Sequence, residues 1–351
     1  MKAFEKNIRK VQPYVPGEQP RRPVVKLNTN ENPYPPAPGV KKALQELDTD
    51  RQRLYPDPDC RELVRHLADW YGVGEDQVFV GVGSDDVLSM CFLTFFNSEK
   101  PIFFPDITYS FYKVWADLYR IPYECKPLDA DFRLVKEDYY GENGGIIFPN
   151  PNAPTGIYEE LDTVEEILNH NRDVIVIVDE AYIDFGGRSA LELLDRYDNL
   201  IVTQTFSKAR SMAGMRIGYA IASPALIKYL LDAKFSFNSY TMNQVSIACG
   251  SAALEDREYF EEKLRKIVRT RERAKEEFAR LGFHCLDSKA NFLFVTHPEY
   301  SGEELFQALK EEGIYVRFWG SPRIENYLRV TIGTEEEMEI LFEFLRNYMK
   351  K

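Results

Sequence analysis

The sequence predicts an α/β fold, with a mostly parallel sheet covered by helices on both faces and joined to a smaller α+β domain. Short apolar runs rich in β-branched residues alternate with helical patterns over 77–223, as in buried parallel sheets. The chain becomes highly charged after residue 254. Its 351 residues also exceed the usual length of one domain. We therefore expect an N-terminal arm over 1–38, a large domain over 39–254 and a small domain over 255–351.

The arm is predicted from its proline content. It is polar and ends in LNTNENPYPPAP. Proline removes a backbone donor and disfavours helix in the residue before it, so the segment should be extended. We expect it to pack with the small domain.

Six runs in the large domain have the pattern of buried strands. They are QVFVGVG (77–83), PIFFP (101–105), GGIIFPN (144–150), VIVIVDEAY (174–182), NLIVTQTFSK (199–208) and RIGYAIAS (216–223). Helical patterns follow the first three runs, in SDDVLSMCFLTFF, TYSFYKVWADLY and LDTVEEILNH. The pattern indicates parallel strands joined by helices.

The small domain should begin with a long amphipathic helix over 255–282, whose apolar positions recur at helical spacing. The segments ANFLFVTH, GEELFQALKEEG, IYVRFW and YLRVTIGT follow, and a closing helix ends the chain. Strands and helices alternate here over a shorter length, which indicates an α+β unit. The charged side of the long helix is expected to face solvent.

Composition excludes several classes of function. The net charge of −12, without a basic stripe, argues against a nucleic-acid partner. Five widely spaced cysteines without a C-x-x-C pair suggest neither a disulfide framework nor a metal site, and favour the reducing cytoplasm. No apolar run reaches the roughly 18 residues of a membrane helix, and the N-terminus lacks the apolar core of a signal peptide.

Ligands of parallel sheets bind beyond the carboxyl ends of the strands, so the residues that follow each run are candidates. GVGSDD places Ser84 and Asp85 at the start of a helix, where free N–H groups and the helix dipole attract anions. Ser84 could equally be a simple helix cap. The spacing differs from that of a nucleoside-triphosphate loop.

Two further strand ends carry charge. Asp179 follows five apolar residues, a costly place for a carboxylate without a cation, and Tyr182 lies three residues beyond. The alternative is an acidic strand end that caps the next helix. Ser207 and Lys208 end the following run, and Arg216 lies between two glycines. A desolvated lysine can form a Schiff base, although a chance surface lysine and a salt-bridging loop arginine are the plainer alternatives.

Together these groups suit one ligand. An anion site with a serine and an arginine, a carboxylate for a ring cation, a phenol and a reactive lysine match pyridoxal 5'-phosphate.

The chain resembles the fold-type-I pyridoxal-phosphate aminotransferases over nearly its full length. The resemblance rests on LNTNENPYPP, RLYPDPD, GVGSDD, PDITYSFY, NPNAPTG, VDEAYIDF, TFSKARSMAGMRIGY and YLRVTIGT, which occur in the family's order. The block S-K-A-x-x-x-A-G-x-R-x-G is specific to the fold type. Within the family, the resemblance is strongest to members that act on histidinol phosphate.

The resemblance implies roles for nine residues around the cofactor. Lys208 would bind the cofactor aldehyde, Asp179 would pair with the ring nitrogen, Tyr182 would contact the ring hydroxyl and Tyr109 would stack on the ring. The phosphate would be held by the backbone amides of Ser84 and Asp85, by Ser207 and by Arg216. Family members are homodimers in which a tyrosine of the neighbouring subunit completes the phosphate site, and Tyr55 matches it. A turn aromatic is the alternative for Tyr55.

One position departs from the family. NPNAPTG has Ala153 where the family has an asparagine whose amide supports the ring hydroxyl. Asn152 lies one position too early to replace it, so we expect Tyr182 to carry this contact alone or with water.

The implied reaction is ping-pong transamination, in which 2-oxoglutarate accepts the amino group. Arg317 and Arg329 resemble a family pair that binds the substrate phosphate, and Tyr14 resembles a tyrosine beside the substrate imidazole, with plain packing as its alternative. Histidinol phosphate is the predicted donor.

Rival enzymes are an aminotransferase for aromatic or other amino acids and a phosphothreonine-type decarboxylase. A non-catalytic pyridoxal-phosphate-binding protein is a rival from another class.

Overall fold

The computed structural model describes residues 2–350. The strands are β1 (Val25–Lys26), β2 (Val78–Gly81), β3 (Ile102–Pro105), β4 (Tyr123–Lys126), β5 (Ile146–Pro149), β6 (Val176–Asp179), β7 (Leu200–Thr205), β8 (Gly218–Ala222), β9 (His284–Cys285), β10 (Phe292–Thr296), β11 (Ile314–Tyr315), β12 (Arg317–Phe318) and β13 (Tyr327–Thr331).

The α-helices are α1 (Pro38–Gln45), α2 (Arg61–Tyr71), α3 (Gly83–Phe95), α4 (Phe111–Tyr119), α5 (Leu161–His170), α6 (Pro224–Phe237), α7 (Gln244–Glu255), α8 (Arg257–Arg280), α9 (Gly302–Glu311) and α10 (Glu335–Tyr348). Short 3₁₀ helices cover Ala3–Asn7, Thr49–Arg53, Glu75–Gln77, Lys136–Tyr139, Ile183–Phe185, Ala190–Arg196 and Ala213–Met215. Among the described residues, no helix combines the length and apolar character needed to cross a membrane.

The large sheet has seven strands in the order β2-β8-β7-β6-β5-β3-β4. The neighbours from β7 to β4 pair in parallel, whereas β8 is antiparallel to both β7 and β2. The prediction of a parallel strand over 216–223 is therefore wrong. The segment 206–217 between β7 and β8 contains no α-helix, and without a crossover element the chain returns in the opposite direction.

The sheet is covered by helices on both faces because its side chains alternate between them. Phe79, Ala220 and Ile201 point toward α3, α4 and α6, in a cluster with Phe92 and Trp115. The side chains of the opposite face divide between one cluster that contains α2 and α7 and a second cluster that contains α5. The architecture is the α/β sheet that the apolar runs predict.

Strand β4 is missing from the sequence-based prediction. It pairs in parallel with β3 at the edge of the sheet, and its residues are only partly buried. An edge strand that buries so little of its surface lacks the continuous apolar run by which the other strands are recognised.

The smaller sheet has the order β12-β13-β10-β9 and is antiparallel. The arm contributes β1, which pairs in parallel with β11. Helix α8 packs Phe260, Ile267 and Phe278 into the adjoining core. Its buried Arg271 donates through Nη1 to the carbonyl oxygens of Phe185 and Ala290, at 2.9 and 3.0 Å, and thereby joins the loop after β6 to the segment before β10.

Candidate active site

Two adjoining cavities lie at the carboxyl ends of the parallel strands. The smaller, of about 180 Å³, and the larger, of about 550 Å³, share Thr29, Tyr109, Ala153, Tyr182 and Lys208 in their walls. The position matches the expectation that polar groups gather where parallel strands end. The shared residues make one continuous site with two compartments.

One end of the smaller cavity combines a helix N-terminus with an arginine. Helix α3 begins there at Gly83, so the N–H groups of its first turn lack intrahelical partners. Arg216 reaches the same place, with Nη2 at 3.0 Å from Oδ2 of Asp85 and Nη1 at 3.5 Å from Oγ of Ser207. Tyr109 donates to the other oxygen of Asp85 at 2.7 Å. A helix N-terminus beside a guanidinium is suited to an anion such as phosphate.

Two glycines leave the space in which Arg216 lies close to the start of α3. Gly83 has φ +81°, and a Cβ atom there would lie 2.4 Å from Nη2 of Arg216. At Gly218, a Cβ atom would lie 2.3 Å from the backbone of Gly83 and Ser84. Any side chain at either position would displace the start of α3 or the arginine.

A buried carboxylate occupies the opposite end. Asp179 ends β6, and its Oδ2 accepts a 2.8 Å hydrogen bond from the hydroxyl of Tyr112. Thr203 donates to Oδ1 at 3.4 Å. Burial raises the pKa of Asp179 from 3.8 to about 6, and the hydrogen bond from Tyr112 partly opposes this shift. The carboxylate has no cationic partner among the described residues, which suits it to a protonated ring nitrogen.

Lys208 lies between the two compartments. Strand β7 ends at Thr205, three residues before the lysine, so Lys208 belongs to the following turn rather than to the strand. Its Nζ donates to the carbonyl oxygen of Thr29 at 3.3 Å and lies 5.7 Å from the ring centre of Tyr182. An amine placed here can reach a ligand in either cavity.

The larger cavity carries two arginines on adjacent strands. Arg317 of β12 and Arg329 of β13 are direct antiparallel partners. Both guanidinium groups lie near Trp319, at 5.3 and 5.1 Å from its ring centre. Like charges opposite one another are unfavourable unless an anion lies between them, so the pair indicates an anionic ligand.

Arg329 is partly buried, and only some of its hydrogen-bonding groups have partners. Its Nη2 donates to the carbonyl oxygen of Asn28 at 2.9 Å, whereas its Nε has no hydrogen-bond partner among the described residues. Burial and, to a smaller extent, the neighbouring Arg317 lower the pKa of Arg329 to about 10. A bound anion would supply the missing partner and oppose the shift.

The structure brings together most of the predicted site residues. Ser84, Asp85, Tyr109, Asp179, Tyr182, Ser207, Lys208 and Arg216 line the smaller cavity. Tyr14, Arg317 and Arg329 line the larger one, where Tyr14 stacks on Phe111 with ring centres 4.4 Å apart. Tyr55 stands apart: its side chain is 80% exposed and stacks on Tyr240.

Several residues for which the sequence predicts no role also lie at this site. Tyr112 contacts Asp179, Thr29 contacts Lys208, and Asn30 donates to the hydroxyl of Tyr182 at 2.9 Å. Arg323 bridges from the larger cavity to Asp106 at 3.1 Å. The motifs PDITYSFY and LNTNENP contain the first three, so a reading of every polar residue in these motifs could have found them.

The Asn152 side chain lines neither cavity. Its amide nitrogen donates to the carbonyl oxygen of Ile107 at 3.0 Å and to Oγ1 of Thr155 at 3.1 Å, and its oxygen accepts from Thr108 at 3.0 Å. Ala153, which lines both cavities, presents only a methyl group.

Comparisons with known proteins agree with this chemistry. A model of the family of class I and II aminotransferases matches residues 22–345. The chain is 50% identical over 350 residues to the histidinol-phosphate aminotransferase of Lactococcus lactis subsp. lactis, covering 99% of this chain and 97% of that protein. It is also 50% identical over 338 residues to the histidinol-phosphate aminotransferase of Clostridium acetobutylicum, covering 96% of each.

A solved structure extends the likeness to the fold. The histidinol-phosphate aminotransferase of Sinorhizobium meliloti, in complex with pyridoxal-5'-phosphate, superposes with a TM-score of 0.83 at 25% identity, over 92% of this chain and 91% of that one.

Proposed function

The chain belongs to the family of class I and II aminotransferases, which use pyridoxal phosphate, and on that premise we propose that it transfers the amino group of histidinol phosphate to 2-oxoglutarate. The products are imidazole acetol phosphate and glutamate. The observation that carries the choice of substrate is the pairing of Arg317 with Arg329 in the wall of the larger cavity.

The cofactor supplies an aldehyde for the amine and a ring that withdraws electrons. Lys208 would bind the aldehyde and, once released by the substrate, would carry the proton between the substrate carbon and the cofactor. Its position between the cavities supports both tasks, because Nζ borders each compartment. Arg216, Ser207 and the first turn of α3, with Ser84 and Asp85, would hold the phosphate.

Asp179 would keep the ring nitrogen protonated. The carboxylate is buried without a cation, so a ring cation would gain a strong electrostatic partner there. Tyr112 and Thr203 hold both oxygens in place. Tyr109 borders the cavity for stacking on the ring, and Tyr182 would donate to the ring oxygen.

The two arginines favour a phosphate dianion over a carboxylate. Each guanidinium carries one charge, and the pair stands on neighbouring strands with no carboxylate within salt-bridge distance among residues 2–350. A phosphate has enough charge and oxygens to bind both at once, as Arg–phosphate pairs commonly do. Tyr14, stacked on Phe111 at the same cavity, would border the imidazole. Glutamate, in the second half-reaction, could reuse the arginines.

We further propose a homodimer in which Tyr55 completes the phosphate site of the partner. The support is that Tyr55 and Tyr240 stack on each other while both are exposed, as are the apolar side chains of Leu54 and Phe237, all of which a monomer would leave in water. A cytoplasmic location remains a prediction, in keeping with the five free cysteines.

A substrate panel tests the proposal. The purified enzyme is assayed with 2-oxoglutarate and, in turn, histidinol phosphate, histidinol, phenylalanine and aspartate, and phosphothreonine is tested for decarboxylation. We expect kcat/KM for histidinol phosphate to exceed that for histidinol by at least a hundred-fold, since two charged contacts are lost without the phosphate. A preference for phenylalanine or aspartate would contradict histidinol phosphate as the substrate, although the protein would still be an aminotransferase. Release of carbon dioxide would favour the decarboxylase, and bound cofactor without any turnover the non-catalytic protein.

A further inference from the structure

The segment Asn28–Asn30 of the arm connects the two compartments. On one side it is attached to β13: the carbonyl oxygen of Asn28 accepts from Arg329 at 2.9 Å, and the backbone N–H of Asn30 donates to Oγ1 of Thr331 at 3.0 Å. On the other side it reaches Tyr182 through the Asn30 amide. Asn30 is 1% exposed, so these hydrogen bonds are shielded from solvent.

The contacts determine which way the Asn30 amide faces. Oγ1 of Thr331 accepts the backbone N–H of Asn30 and donates its own hydrogen to Oδ1 of Asn30 at 3.1 Å. The amide oxygen therefore faces Thr331, and the NH₂ group faces the hydroxyl of Tyr182 at 2.9 Å. The reverse orientation would bring the Asn30 NH₂ to Thr331 and leave the threonine hydrogen without this acceptor.

This orientation decides what Tyr182 can do. Because Asn30 donates to the phenol oxygen, the phenol hydrogen is left to donate elsewhere, and Tyr182 lines the cofactor cavity. Ala153 cannot help, since it presents a methyl group, and the Asn152 amide is bound to Ile107 and Thr155. In the family, two side chains contact the ring oxygen of the cofactor. In this chain only Tyr182 is left to make that contact.

We propose that Asn30 is a positioning residue that holds the Tyr182 hydroxyl as a donor toward the ring oxygen of the cofactor, in place of the support that Ala153 cannot give. The proposal rests on the role assigned to Tyr182 in the proposed function. Asn30 belongs to the segment Asn28–Asn30, which is hydrogen-bonded to Arg329 of β13. The segment that orients the Tyr182 hydroxyl is therefore attached to an arginine proposed to bind the substrate phosphate.

The expected signature is spectroscopic. A donor to the ring oxygen stabilises its anion, and a better stabilised anion holds the neighbouring proton on the Lys208 nitrogen less tightly. Loss of the donor should therefore raise the pH at which the yellow absorption of the bound cofactor titrates. For one hydrogen bond to a charged oxygen we expect a shift of about one pH unit, a ten-fold change in proton affinity.

The test uses the holoenzyme variants Asn30→Gly, Tyr182→Phe and their combination. Glycine is chosen because Asn30 has φ 56°, a left-handed conformation that alanine would strain. We expect each single change to raise the titration midpoint by about one unit and the double change to add nothing beyond Tyr182→Phe, since both remove one interaction. Asn143→Ala, which removes a buried amide bonded to Asn171, should leave the midpoint unchanged.

Three outcomes would overturn the inference: an unchanged midpoint in Asn30→Gly, an additive double variant, or an unchanged midpoint in Tyr182→Phe. The first two outcomes leave the proposed function intact, whereas the third also removes the role assigned to Tyr182 there. The choice of substrate is tested separately, by the substrate panel with the unaltered enzyme. If Asn30→Gly fails to fold, Thr331→Val removes the hydroxyl that orients the amide. It should shift the midpoint in the same direction, and an unchanged midpoint there also contradicts the proposal.

Discussion

The hydroxyl of Tyr112 donates a 2.8 Å hydrogen bond to Oδ2 of Asp179, the buried residue that ends strand β6. Even with this donor, burial raises the pKa of Asp179 to about 6. The ionised Asp179 carboxylate therefore destabilises the folded protein when no cofactor is bound. This is expected of a buried side chain whose partner is a bound cation.

The raised pKa of Asp179 predicts how the stability of the cofactor-free protein depends on pH. A carboxyl group whose pKa is higher in the folded protein than in the unfolded chain imposes no penalty below the unfolded value, and the penalty grows as pH rises through the folded value. With values of 3.8 and about 6, we expect cofactor-free Asp179→Asn to exceed the unaltered protein in free energy of unfolding by about 3 kcal/mol at pH 8, and by less at pH 5. Urea unfolding at the two pH values measures this difference. An equal difference at both would show that Asp179 does not titrate in this range.

The same carboxylate should be indispensable with the cofactor bound. Asp179→Ala removes the anion that keeps the ring nitrogen protonated, so kcat should fall by roughly a thousand-fold or more. Tyr112→Phe, which removes only the hydrogen bond, should have a much smaller effect. Retention of most activity by Asp179→Ala would mean that the carboxylate is structural.

Lys208 is predicted to hold the cofactor covalently. The protein should be yellow as purified, and borohydride should fix the cofactor on a peptide that contains Lys208, as mass spectrometry would show. Lys208→Ala should keep its fold and non-covalent cofactor binding while transamination is abolished, because the group that carries the proton is missing. Near-normal transamination by Lys208→Ala would contradict the assignment.

The arginine pair should act on the phosphate of the substrate. Arg317→Ala should lower kcat/KM for histidinol phosphate by about ten-fold to a hundred-fold, the usual loss for one charged hydrogen-bond partner. Arg329→Ala should cost at least as much, since the Nε atom of Arg329 is buried and has no partner among the described residues to compete with the phosphate. Histidinol provides the control: it has no phosphate, so its slow reaction should change little in Arg317→Ala. Equal losses for both substrates would point to a structural role.

Gly83 is predicted to be essential for phosphate binding. Its φ of +81° disfavours any side chain, and a Cβ atom would lie 2.4 Å from Nη2 of Arg216. Gly83→Ala should therefore weaken cofactor binding by at least ten-fold, measured by fluorescence titration of the cofactor-free protein. Gly141→Ala, where a Cβ atom meets nothing within 4 Å, is the matched control and should bind normally.

Tyr55 tests the dimer. If its hydroxyl completes the phosphate site of the partner, Tyr55→Phe should weaken cofactor binding by about ten-fold without changing the dimer mass in sedimentation equilibrium. Tyr240→Phe is the control, because Tyr240 stacks on Tyr55 with ring centres 4.6 Å apart and keeps that contact as phenylalanine. A monomer at micromolar concentration, or identical affinities in the two variants, would remove this role.

The sequence by itself determined the α/β class and the candidate residues, because both depend on local patterns. Buried strands need continuous apolar runs, and a carboxylate or lysine at or shortly after the end of such a run stands out against it, as Asp179 and Lys208 do. Each residue alone had a plainer explanation, and only the whole set indicated one cofactor; the family's motifs then implied the individual roles.

Only the tertiary structure decided what depends on contacts between distant segments. The antiparallel direction of β8 follows from the path of 206–217, and the apolar run of that strand carries no sign of direction. The pairing of Arg317 with Arg329 depends on strand register, and the link from Asn30 to Tyr182 joins residues 152 positions apart. Such contacts are set by packing among several elements, so a periodicity read along one segment cannot contain them.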